Sequence, residues 1–150
     1  MTVGRVALLV GVALLVLVAN VAASVLYMVI YGYVIAPGHE PEYYNDHIQV
    51  AGPYCSIVAG IPLMFLAGWW VAGWWRRALG VRAAWTVWVA YTVIDLLIVL
   101  AVGLAASLSL RDGMLVVVSL ATKLVAALFG ARLRLARPAK PDAAADGGGV

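Results

Sequence analysis

The chain has 150 residues, of which 65% are hydrophobic and only 11% charged, with a formal net charge of +3 and a mean hydropathy of +1.02. Soluble domains are about half apolar and about a quarter charged, so this excess, which falls in long blocks, excludes an ordinary water-soluble fold and marks a polytopic helical membrane protein. The basic residues sit at block ends instead of forming a stripe, which excludes a nucleic-acid-binding face, and the lone Cys55 excludes an internal disulfide, a Cys-x-x-Cys redox pair and a thiolate metal cluster.

The first apolar block covers residues 6–35 and stops at Ala36-Pro37-Gly38, where proline and glycine end a helix. At ~1.5 Å per residue it exceeds a ~30 Å hydrocarbon core, so a tilt or an extension beyond the membrane is expected. Arg5, the run Val6 to Ala19 and Val21-Ala22-Ala23 mimic the parts of a signal peptide. Hydrophobicity continues through Tyr33, however, so an uncleaved first span is the expectation. Along this block Ala13, Asn20 and Tyr27 recur every seven residues, with Ser24 and Tyr31 beside them, giving one polar line that runs outward.

Residues 36–52 read as a long loop between the first two spans. It carries His39, Glu40, Glu42, Tyr43, Tyr44, Asp46 and His47, with Pro41 able to open a short helix that puts Tyr43 and His47 on one face. His39, Glu40, Glu42, Tyr43, Asp46 and His47 are the binding candidates of this segment. Imidazoles and carboxylates can ligate divalent cations, but His-Glu-x-x-His is absent, so no metal or other cofactor is assigned. A capping or partner-contact role accounts for the loop most simply, with a substrate entrance next and a metal site last.

The second span starts at Gly52-Pro53 and covers residues 53–75, with Pro62 inside it as a bend. The third covers 83–109 and the fourth 114–131, separated by the Arg111-Asp112-Gly113 turn, which would make these two helices antiparallel neighbours. Trp69, Trp70, Trp74, Trp75, Trp85 and Trp88 gather at one membrane boundary as an aromatic belt, with Trp88 deepest. Arg5, then Arg76, Arg77 and Arg82, then Arg132, Arg134, Arg137 and Lys140 flank the spans on one side. The segment between the first two spans holds only acids, so both termini are expected in the cytoplasm and that segment outside. Residues 1–137 form one membrane domain and 138–150, rich in Pro, Ala, Asp and Gly, a disordered tail.

Two charges interrupt the last two spans: Asp95 and Lys123. A charge at the bilayer centre costs ~3 kcal/mol on insertion scales, so each needs a partner or a task. Counting along the helices puts them within ~5 Å in depth, which a lysine side chain can bridge, and an Asp95–Lys123 ion pair is predicted. Tyr91 and Thr92 share the face of Asp95, while Ser119, Ala126, Ala127 and Gly130 share that of Lys123. Asn20, Tyr91, Thr92 and Ser119 complete the candidate buried polar set, whose small residues would let the third and fourth helices approach.

No phosphate-cradling glycine loop, nucleophile elbow or paired membrane aspartates appear, and histidines outside the spans exclude bis-His haem ligation. In size and span number the chain is similar to the small-multidrug-transporter family, but the first-helix glutamate of that family has no counterpart, Asn20 being the nearest polar residue. The expected architecture is an antiparallel four-helix transmembrane bundle of a bacterial inner membrane, a setting to which the preponderance of Arg over Lys, with abundant Ala, Val and Gly, also points. Three functional classes follow. A non-catalytic accessory or interaction subunit leads, with the bilayer and a second copy or another membrane protein as partners. A proton- or ion-coupled small transporter or channel built on Asp95, Lys123 and Asn20 comes next, and a metal-dependent membrane enzyme at the outward segment ranks last.

Overall fold

The computed structural model describes residues 2–74, 77–101 and 110–137. They form four helices: α1 (Val3–Ile30), prolonged by a π-helical turn at Tyr31–Ile35, α2 (Pro41–Ala72), α3 (Arg77–Ala101) and α4 (Leu110–Ala136). All four are long and apolar enough to cross a membrane, over Val3–Ile35, Pro41–Ala72, Leu79–Ala101 and Gly113–Ala136. The chain is therefore an all-helical, multi-pass membrane protein. Val-rich blocks are poor helix formers in water, but in hydrocarbon each backbone N–H and C=O must be satisfied within its own segment, and the helix does that.

The join between α1 and α2 is shorter than the sequence implied. At the end of α1 the Ala36 amide donates to the Tyr31 carbonyl at 2.8 Å, one residue wider than an α-helical turn. Gly38 then takes a φ of 84°, a left-handed conformation that glycine adopts without a side-chain clash. Pro41 occupies the first turn of α2, where its missing N–H is no loss and its fixed φ suits a helix, and Glu42 lies against the positive helix end. The expected loop at 36–52 is thus a five-residue turn, 36–40, followed by the first turns of α2, and both Pro53 and Pro62 lie inside that helix. The fourth helix also begins earlier than expected, so Arg111-Asp112-Gly113 belongs to its first turns instead of forming the turn before it. Trp75, Arg76, residues 102–109 with the end of the third span, and the tail at 138–150 with Lys140 lie outside the described residues.

Packing departs from chain order in one respect. The closest helix pair is α2 with α4, not α3 with α4. Gly68 lies against the backbone of Ala127, and Gly130 against the Phe65 carbonyl, so closely that a β-carbon on either glycine would overlap the other helix. The small-residue face of α4 predicted to meet α3 therefore meets α2. The reason is symmetry of need: α2 carries matching glycines at 60 and 68, whereas α3 presents Val87, Tyr91 and Trp88 and keeps its neighbours further off.

The core is built from Leu9, Val12, Ala13, Val16 and Leu17 of α1, Met64, Ala67 and Val71 of α2, Ala83, Val87 and Tyr91 of α3, and Ala126 and Ala127 of α4. Spacings of three and four along α1 give the inward stripe of a helix in a bundle. Leu14, Leu15, Val18, Val21 and Val25 on its other side stay exposed, as a surface meant for hydrocarbon should.

Candidate functional site

Each helix contributes one polar side chain to a single cluster: Asn20 from α1, Ser56 from α2, Tyr91 from α3 and Lys123 from α4. Lys123 is only 1% exposed, and its ammonium donates to the Ser56 Oγ and to the Tyr91 hydroxyl, both at 2.9 Å. Asn20, 6% exposed, donates from Nδ2 to the same two oxygens at 3.0 and 3.4 Å. The ammonium also stands 4.9 Å from the Tyr91 ring centroid, close enough for the ring face to attract it. Gly60 makes room for the lysine stem, since a β-carbon there would occupy the space of Lys123 Cε.

The predicted Asp95–Lys123 ion pair does not form. Among the described residues no salt bridge joins these two side chains. Similar depth along two helices is not proximity across them. Lys123 projects towards α2, where Gly60 leaves space, and Tyr91, one turn before Asp95, reaches the ammonium first. Coulomb attraction between the two charges remains, but across more than a contact distance.

Each hydroxyl oxygen can accept two hydrogen bonds, and Lys123 and Asn20 use both places on Ser56 and on Tyr91. Asn20 Oδ1 and Thr92 Oγ1 are buried without a partner. Ser24 donates to the Asn20 carbonyl at 3.2 Å, continuing the polar line up α1. Ser119 is buried one turn from Lys123 but takes no part in the cluster.

Next to this cluster lies a cavity of about 820 Å³. Its deep end is formed by Asn20, Ser24, Ser56 and Asp95, and its other end by Gly32, Tyr33, Pro37, Gly38 and Tyr44 at the α1–α2 join. Most of the remaining wall is aliphatic, from Val21, Val25, Met28, Val29 and Ile48. Asn20 and Asp95 thus line the cavity where the polar line begins, while the unpartnered Asn20 amide oxygen is itself buried.

The candidates around the join meet as a stack of rings. Tyr27 hydrogen-bonds His47 Nε2 at 2.9 Å, and the His47 ring lies parallel to Tyr31 at 3.7 Å. Tyr31 and Tyr43 share a hydroxyl–hydroxyl bond of 2.9 Å, and His39 stacks on Tyr43 at 4.2 Å. Tyr44 closes the turn by donating to the Ala36 carbonyl at 2.7 Å while accepting from the His39 amide. The structure thus brings together His39, Tyr43 and His47, and leaves Glu40, Glu42 and Asp46 exposed around them. Among the described residues no three His, Cys, Asp or Glu side chains converge as a metal site would require.

Trp88, the deepest indole, is committed to the bundle: its N–H donates to the Leu120 carbonyl of α4 at 3.0 Å. Ser56 is the member of the cluster that sequence reading passed over. Its signal was present in Gly52, Ser56 and Gly60, a small residue every four positions, which marks a helix face built for close approach. Comparison with protein-family models, curated proteins and solved structures finds no match for this chain.

Proposed function

We propose that this protein is a proton- or cation-coupled small membrane transporter whose exchanging group is Asp95. The observation that carries the reading is the division of labour between the two buried charges. Lys123 is held by Ser56 and Tyr91, while Asp95 lines the cavity without a salt bridge to it. A coupling carboxylate must change its proton or its partner during a cycle, and one locked to a lysine cannot. A carboxylate lining the cavity suits a cation or a proton donor, and the buried Asn20 Oδ1 beside the cluster leaves one acceptor unused. The metal-enzyme reading of the α1–α2 join gains no such support.

The topology that goes with this reading is antiparallel. Asn20, Tyr27 and Tyr31 of α1 meet Ser56, His47 and Tyr43 of α2 in reverse order, whereas Ser56, Gly68 and Gly73 of α2 meet Lys123, Ala127 and Arg134 of α4 in the same order. Both orders fit an up-down-up-down chain. With the arginines placed by the positive-inside rule, the termini are cytoplasmic, the membrane is a bacterial inner membrane and the α1–α2 join faces outward. One observation favours the second reading, an accessory subunit or homo-oligomer: a cluster that ties all four helices together is also what a static packing unit needs.

Purified protein in vesicles tests the choice. With an imposed pH gradient and membrane potential, an intravesicular pH dye should report flux above that of protein-free vesicles, and Asp95→Asn should abolish it while eluting as the wild type does on gel filtration. Wild-type vesicles no more permeable to H⁺, Na⁺ or K⁺ than empty ones would leave the accessory reading standing.

A further inference from the structure

The end of the bundle furthest from the α1–α2 join carries a second constellation. Trp69, Trp70, Gly73, Trp74 and Arg134 line a cavity of about 190 Å³ between the ends of α2 and α4. The guanidinium groups of Arg134 and Arg137 stand 5.0 and 5.3 Å from the Trp69 ring centroid, so one indole holds two cations. Gly73 fixes the first of them: a β-carbon there would come 2.9 Å from Arg134 Nε. Of the carboxylates among the described residues, Glu40, Glu42 and Asp46 belong to the α1–α2 join, Asp95 to the middle of α3 and Asp112 to the first turns of α4, and none lines this cavity.

Two of the same tryptophans, Trp69 and Trp70, also wall an apolar groove of about 300 Å³. It runs between Val12, Leu15, Val16 and Ala19 of α1 and Leu63, Leu66 and Ala67 of α2. A pocket rimmed by indoles with Arg134 in its wall, adjoining a dry groove along two spans, has the two-part form of a phospholipid. The phosphate suits the paired guanidiniums, and an acyl chain suits the groove.

We propose that Arg134, Arg137 and Trp69 hold the phosphate of an anionic phospholipid, one of whose acyl chains lies in the α1–α2 groove. The site is independent of the Asp95 cavity and of any transport activity. It differs from the general attraction of a basic helix end for an acidic bilayer because it is built: the indole orients both cations, and the glycine admits one of them.

The tryptophans supply the readout. In phosphatidylcholine vesicles containing a small fraction of lipid brominated on its acyl chains, brominated phosphatidylglycerol should quench the protein's fluorescence more strongly than brominated phosphatidylcholine at equal fraction. Arg134→Gln with Arg137→Gln should weaken that preference by more than the about thirtyfold that two basic side chains contribute merely by lying near an anionic surface. Arg132→Gln, which removes an exposed charge from the same end without touching the cavity, should cost at most the about fivefold that a single basic side chain near an anionic surface contributes. Gly73→Ala, which keeps both charges but displaces Arg134, should weaken it. Adding inorganic phosphate at constant ionic strength should not compete, because the groove contributes to binding. Equal quenching by the two lipids in the wild-type protein would overturn the proposal, as would a loss in Arg132→Gln equal to that in the double variant. Full competition by inorganic phosphate would reduce the site to an anion pocket and overturn the lipid assignment.

Discussion

Tyr91 and Asp95 show how one helical turn separates a fastener from the residue proposed to exchange. Tyr91 is fully buried and accepts from both Lys123 and Asn20, so Tyr91→Phe strips an acceptor from a buried ammonium. Hydrogen bonds to charged groups are worth about 1.5–3 kcal/mol in soluble proteins, whereas interhelical polar pairs in a membrane average about 0.6. A loss of about 1–2 kcal/mol is expected, seen as a lower midpoint in thermal unfolding in detergent. Asp95→Asn removes no salt bridge, only a longer-range attraction, and should lower that midpoint less than Tyr91→Phe does. For the same reason Asp95→Asn should not rescue Lys123→Gln. The polar residues themselves were legible, because Asn, Asp and Lys are conspicuous in an apolar span. Which of them touch was not, because depth along a helix axis says nothing about the direction a long side chain takes across the bundle.

The helices owe their mutual fit to absent side chains. Gly68→Ala would drive a β-carbon into the backbone of Ala127, where no rotamer change can relieve it. Overpacking of this kind costs about 1–3 kcal/mol. The variant should unfold earlier in denaturant, while Gly11→Ala, with nothing within 4 Å of the new carbon, should match or slightly exceed wild type. At the α1–α2 join, His47→Ala removes the ring between Tyr27 and Tyr31. Faster proteolysis near 36–40 is the expected result, with little change in global stability, since the join is a local unit. The long apolar blocks announced four helices without ambiguity. The first turns of α2 were harder to read, because Tyr43, Asn45, Asp46 and His47 look like loop chemistry and Pro53 looks like a start signal. Proline removes a single hydrogen bond, and a helix already begun at Pro41 passes through it.

Taken as a whole, the bundle has two chemically distinct ends and a polar middle. One end stacks tyrosines and histidines over an acidic turn, the other sets arginines on tryptophans, and between them four helices meet at Asn20, Ser56, Tyr91 and Lys123. The arginines that punctuate the spans carry the expected orientation, whereas no residue pattern announces the cavity. It arises where the π-helical turn, Gly32, Pro37 and Gly38 leave α1 and α2 apart, a consequence of three-dimensional mismatch that no periodicity records. Everything functional proposed for the middle rests on Asp95 meeting water through that space. The direct measurement is the reactivity of Asp95→Cys, in a Cys55→Ala background, towards a small hydrophilic thiol reagent. His39→Cys on the exposed turn and Val87→Cys in the sealed core serve as its limits. Modification at position 95 approaching that at 39 is the expected result. Reactivity as low as that at 87 would mean that the carboxylate is sealed inside the bundle, and would contradict the assignment of Asp95 as an exchanging group.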